Sequence, residues 1–138
     1  MNGWSVTRLE ELDRIPVEEG LEWRPIRRRF GIRSFGINAY TSSHVGGWVV
    51  AEHDETSGQE ELYLVLSGRA TFMLDGEELD APAGTAVFLP AGPVTRKATA
   101  EEEGTTVLAI GGWTDKAFVP SASELLFDTN AGETPSES

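Results

Sequence analysis

The chain has 138 residues, 11 basic and 23 acidic side chains, a formal net charge of −12 and 39% hydrophobic residues, a size that suits one domain with its own core. It contains no cysteine, which excludes disulfides, thiolate nucleophiles, iron–sulfur clusters and Cys-based zinc sites. The acidic balance opposes nucleic-acid binding, no apolar run reaches the roughly 18 residues of a membrane span, and with no secretory signal at the start of the sequence the cytoplasm is the expected location.

In chain order, residues 5–15 space Val6, Leu9, Leu12 and Ile15 close to a helical period. Ser5 or Thr7 can cap the start and Pro16 stops propagation, so the pattern predicts a short amphipathic helix within an N-terminal segment, residues 1–20. Arg24, Arg27, Arg28, Arg29 and Arg33 then crowd five of the 11 basic residues together. No aromatic interleaving or nucleic-acid motif accompanies them, so they are read as partners for the acidic excess rather than as an anion patch.

From about 22 to 112 the chain is a succession of short apolar runs: 33–41, 46–51, 61–67, 69–75, 85–89, 94–99 and 105–111. Residues 22–28 add a further run that Pro25 confines to an edge. Ser67-Gly68 and Asp75-Gly76 are hairpin dipeptides, and Pro82-Ala83-Gly84 and Pro90-Ala91-Gly92-Pro93 are further breaks. Many short strands at this spacing, without an interior helix, predict an all-β sandwich or barrel over 21–127. Phe118, Val119, Leu125, Leu126 and Phe127 suffice to dock a last segment on it. Residues 128–138 are polar and Gly/Pro/Ser-containing, and a disordered tail is expected there.

The stretch from His53 to Gly112 resembles the cupin superfamily, in particular its small single-domain members. Glu61-Leu62-Tyr63-Leu64-Val65-Leu66-Ser67-Gly68 fits the E(X)6G half of the first cupin motif, and Gly84 to Gly92 fits the G(X)5PXG frame of the second. The resemblance implies a jelly-roll barrel (a double-stranded β-helix) with Glu61 inside it, and a homodimer. Alternation along the strand then puts Tyr63 in the same cavity. Tyr40, Trp48 and Phe88 are further candidates for aromatic walls, and core packing explains them equally well.

The resemblance also implies a metal held by three His and one Glu, and here the sequence departs from the family. Only His44 and His53 are present, the HXH pair is missing, and the second-motif His position falls by count on Thr95. His53, Glu55 and Glu61 remain as a conceivable one-His, two-carboxylate set, which suits Mn2+ or Fe2+ better than Zn2+. The other reading of His53-Asp54-Glu55 is a polar loop with His53 bonded to a carboxylate. His44, in a turn-like stretch, is read as an exposed loop residue. If Thr95 faces the cavity, Lys97 shares its face, and a Lys97–Glu61 pair can take the place of the metal; a bulge that turns Lys97 to solvent is the alternative.

The expected function is therefore binding of a small molecule in the barrel, with no metal or a weakly held one. A divalent-metal enzyme of dioxygenase or isomerase type on His53, Glu55 and Glu61 is the alternative. A third reading is a metal-free isomerase or epimerase with Glu61, Lys97 or Tyr63 as acid and base.

Overall fold

The computed structural model describes residues 3–18, 20–55, 57–122 and 124–125. Alternating runs broken by turn residues fold into ten strands: β1 (Ile15–Glu18), β2 (Leu21–Pro25), β3 (Gly36–Ser42), β4 (Trp48–Glu55), β5 (Glu60–Ser67), β6 (Arg69–Leu74), β7 (Glu77–Pro82), β8 (Ala86–Leu89), β9 (Gly92–Ala100) and β10 (Thr106–Gly112). Among the described residues an α-helix, α1 (Ile26–Phe30), spans five residues. The strands pair into a six-stranded sheet, β1-β2-β3-β10-β5-β8, and a four-stranded sheet, β4-β9-β6-β7, antiparallel throughout. This is the expected all-β jelly-roll barrel.

The hairpin signals act as their chemistry requires. Asp75 and Gly76 both have positive φ, 51° and 84°, the geometry of a two-residue turn whose twist matches its strands, and the turn joins β6 to β7.

Between the sheets lies one buried apolar cluster. Tyr63 and Val65 of β5, Val107 of β10, and Val87 and Leu89 of β8 face Val49 and Val50 of β4, Phe72 of β6, and Ala98 and Ala100 of β9. The Tyr63 and Phe72 rings meet across the barrel at 5.8 Å between centroids. Small alanines on the four-stranded sheet leave room for these rings, in keeping with the close packing of protein interiors.

The N-terminal helix predicted over 5–15 does not form. Leu9–Glu11 makes a single 3-10 turn, without a side-chain cap at Arg8, and Ile15 and Pro16 belong to β1. An isolated helix of this length is marginal unless tertiary packing covers its apolar stripe; of that stripe Leu12 is buried, whereas Val6 stays 70% exposed. Pro16 is tolerated because β1 is an edge strand. β1 in turn covers β2, so the 22–28 run is not the edge that Pro25 suggested. Pro25 ends β2 and leads into α1 instead.

After β10 the chain crosses the outer surface. Trp113 donates its indole N–H to the Ser57 carbonyl at 2.8 Å and packs on Phe118. Phe118 lies over Gly36 so closely that a Cβ there would come within 2.6 Å of the ring. Farther on, Glu124 is buried and paired with Arg27 of α1. This docks the last segment, although Val119 and Leu125 remain exposed. Leu126, Phe127 and the expected disordered tail, 128–138, lie outside the described residues.

Candidate functional site

Glu61 enters the barrel from β5, on the same face as Tyr63 and Val65, as the strand period dictates. Its Oε1 accepts two hydrogen bonds, from Tyr63 Oη at 2.6 Å and from Arg96 Nη1 at 2.6 Å. Arg96 is fully buried and is held from behind: Nε and Nη2 donate to the Val94 carbonyl at 3.1 and 2.9 Å. His53 of β4 completes the cluster, its Nε2 at 3.9 Å from Glu61 Oε1, beyond direct hydrogen-bond contact. Its Nδ1 lies 2.8 Å from the Ala51 carbonyl. A carbonyl can only accept, so Nδ1 carries the proton and Nε2 is the nitrogen presented to Glu61.

The electrostatics follow from this packing. Burial pushes the Glu61 carboxyl up, but His53, the Tyr63 hydroxyl and the Arg96 guanidinium together outweigh it and hold the group below its ordinary value. The Glu61 carboxylate raises His53 against the opposing effect of burial. Burial, reinforced by the Glu61 charge, raises Tyr63 far above its usual range. Tyr40 is pushed up to about 12, by burial first and then by Glu124 and Glu61.

Beside the cluster lies a cavity of about 350 Å3. Its walls are mostly apolar, from Val17, Leu21, Val49, Val50, Ala51 and Ala109, and its polar groups come from Tyr40, Tyr63, Glu61 and His53. The His53 side chain is 40% exposed and forms the rim, so the space communicates with solvent.

Of the residues singled out in the sequence, the structure brings Tyr40, His53, Glu61 and Tyr63 together around this cavity. Glu55 closes β4 opposite Gly92, and its side chain lies outside the described residues. Phe88 does not line the barrel. It is 55% exposed on the outer face of the six-stranded sheet, in a separate groove with Phe35, Leu62 and Trp113. Trp48 also faces away from the cavity: it pairs with Thr99, and Lys97 Nζ sits 5.7 Å from its ring centroid. His44 is exposed, as expected for its loop.

The second-motif strand is inverted relative to the motif count. In β9 Arg96, Ala98 and Ala100 are buried, and Thr95, Lys97 and Thr99 alternate with them. The Thr95 backbone N–H binds the Asp75 side chain at the β6–β7 turn. Neither Thr95 nor Lys97 reaches the cavity, so the Lys97–Glu61 pair does not form. A one-residue change of register moves a whole strand's side chains to the opposite face, and the β4–β9 ladder shifts register at three places. The cation beside Glu61 is Arg96, which the motif count assigned to the outside. A different signal pointed to it: Val94, Ala98 and Ala100 are the apolar positions of β9, and Arg96 shares their parity.

The donor set among the described residues does not fit a divalent cation. Arg96 sits next to Glu61 with its own positive charge and takes one of its two carboxylate oxygens. Imidazole and carboxylate ligands in number are what such ions need, and among the described residues no three His, Asp or Glu side chains converge.

A family model for the cupin domain matches residues 41–111, the span that contains Glu61, Arg96 and the strands between them. No curated protein matches the sequence. Among solved structures, the chain is similar to KdgF from a Halomonas species, with 18% identity over 81% of this chain and 96% of that one and a TM-score of 0.64. It is similar to a sugar phosphate isomerase from Silicibacter pomeroyi, at 19% identity, 82% and 78% coverage and a TM-score of 0.67. A third is a predicted oxalate decarboxylase from Thermotoga maritima, at 19% identity, 79% and 99% coverage and a TM-score of 0.63. At such identities the likeness is one of fold.

Proposed function

The chain belongs to the cupin domain family, and from that premise we propose that it is a metal-independent member that binds a small organic molecule in its barrel. The observation that carries this reading is the Arg96–Glu61 pair. The Arg96 guanidinium supplies a positive charge next to Glu61, and a cavity of about 350 Å3 adjoins the pair. That volume is at the small end of ligand pockets. Apolar walls supply affinity for the body of a ligand, and the few polar groups at one end orient it.

Sugar phosphate isomerase and oxalate decarboxylase are the descriptions of two proteins of like fold. Their substrates differ in size and charge, so they select no substrate for this chain.

The test is elemental analysis of untagged protein, followed by thermal melts with Mn2+, Fe2+, Ni2+ and Zn2+. The proposal expects no stoichiometric metal and no shift of Tm. One metal per chain that is lost in His53→Ala would overturn it in favour of a metal-dependent enzyme on His53, Glu55 and Glu61.

A further inference from the structure

We infer that the barrel cavity selects neutral, mostly apolar molecules that carry a hydroxyl group, such as an alcohol or a phenol, and discriminates against carboxylates and amines of the same shape. The inference rests on the metal-independent binding reading and adds the chemical class of the ligand.

The selectivity follows from which polar atoms at the cavity are already used. Glu61 Oε1 takes both the Tyr63 and the Arg96 hydrogen bonds. Glu61 Oε2 accepts none among the described residues, and it belongs to a side chain that lines the cavity. Tyr63 donates its hydroxyl proton to Glu61 and is therefore spent as a donor. Tyr40 also lines the cavity, and its hydroxyl makes no hydrogen bond among the described residues. Inside the rim, where His53 Nε2 is turned to Glu61 Oε1 at 3.9 Å, the polar end thus offers one carboxylate oxygen seeking a donor and one phenol able to donate or accept. A ligand hydroxyl satisfies both, donating to Glu61 Oε2 and accepting from Tyr40 Oη.

Charge decides against the alternatives. Arg96, its side chain 1% exposed, already balances Glu61. A carboxylate placed at Oε2 puts two negative oxygens together, which disfavours ionisation of both. An ammonium adds a second cation beside a buried guanidinium. Either one carries an uncompensated charge into mostly apolar surroundings, which is costly. A neutral hydroxyl does neither. The remaining lining, Val17, Leu21, Val49, Val50, Ala51 and Ala109, has no donor or acceptor side chain, so it accommodates hydrocarbon or a ring rather than a polyhydroxylated body.

Four probes of one shape test the inference: benzyl alcohol, toluene, benzoate and benzylamine, titrated into the isotope-labelled full chain with the methyl resonances of Val50 and Ala109 as the reading. Benzyl alcohol is expected to bind with the lowest Kd, by about tenfold over toluene, since one charge-assisted hydrogen bond is worth that much. Tyr40→Phe, which removes one oxygen and leaves the ring, is expected to weaken benzyl alcohol several-fold and leave toluene unchanged. Benzoate or benzylamine binding as tightly as benzyl alcohol overturns the inference and leaves small-molecule binding standing. An identical preference in Tyr40→Phe overturns it likewise. If no probe moves the cavity resonances, the binding reading falls and this one with it.

Discussion

Arg96 Nη1 lies 2.6 Å from Glu61 Oε1, with the arginine side chain 1% exposed and the glutamate 17% exposed. In such a pair the attraction offsets a desolvation cost of similar size, so losing one partner is worse than losing both. Glu61→Gln leaves the guanidinium buried without its counter-charge and is expected to cost about 3–5 kcal/mol of unfolding free energy. The double variant Glu61→Leu with Arg96→Met is expected to recover most of that loss. Urea denaturation of the three proteins checks this, and a single variant as stable as the wild type would show that the pair is not structural.

Stability should also depend on pH through this cluster, with a definite sign. His53 is raised above its ordinary 6.5, so its contribution is complete below that pH and is lost as pH rises through the folded value. Glu61 is lowered below its ordinary 4.5, so its contribution is complete above 4.5 and is lost as pH falls through the folded value. Both are in place together between 4.5 and 6.5. Comparing the urea midpoint of wild type and His53→Gln from pH 4 to 9 isolates the imidazole. The difference is expected to shrink on the alkaline side, and a constant difference across that range would contradict the assignment.

The last described segment is held by a second shielded pair. Arg27 of α1 donates Nε and Nη2 to Glu124, while its Nη1 binds the Ile32 carbonyl. The Glu124 charge also raises Tyr40, so this strap is electrostatically felt at the cavity. Glu124→Gln is expected to speed amide exchange at Leu125, whose N–H binds the Ser121 carbonyl, and to lower the Tyr40 pKa. Unchanged exchange would mean that the Trp113–Phe118 packing alone holds the segment.

How far the sequence led depends on the kind of signal. The jelly roll was legible because its turns are chemical requirements: Asp75-Gly76 demands positive φ, and Gly84 to Gly92 repeats a known frame. Glu61 and Tyr63 were legible because alternation within one uninterrupted strand is reliable. The count along β9 from Gly92 put Lys97 beside Glu61, where the structure has Arg96, because that count crosses a ladder with register shifts. Burial of Ala98 and Ala100 overrides such a count, because turning β9 by one residue would expose them. The N-terminal helix was misread for a related reason. Val6, Leu9, Leu12 and Ile15 satisfy a helical period, yet of that stripe only Leu12 finds full burial, and an edge of the sheet was open to Ile15 and Pro16. Trp48 and Phe88 were misplaced because an aromatic carries no mark of which face of a sheet it occupies.

The homodimer implied by the family resemblance is proposed to use the face that Phe88 occupies. Phe88, Phe35, Leu62, Ile110 and Trp113 surround a groove of about 430 Å3 on the outside of the six-stranded sheet. Phe88 and Phe35 keep much of their surface in water. β8 is also the last strand of that sheet, so its outer row of backbone groups has no ladder partner among the described residues, a liability that proteins cover or pair. A second copy placed on this face covers both the aromatic surface and the strand edge. Phe88→Asp is expected to convert a dimer into a monomer in sedimentation equilibrium. Its Tm should fall only by what the dimer contributes, because Phe88 belongs to no buried cluster among the described residues. A wild-type protein that stays monomeric at high micromolar concentration would remove the proposal. A variant that remains dimeric would move the interface to the four-stranded sheet, where Trp48 and Lys97 are the outward-facing pair.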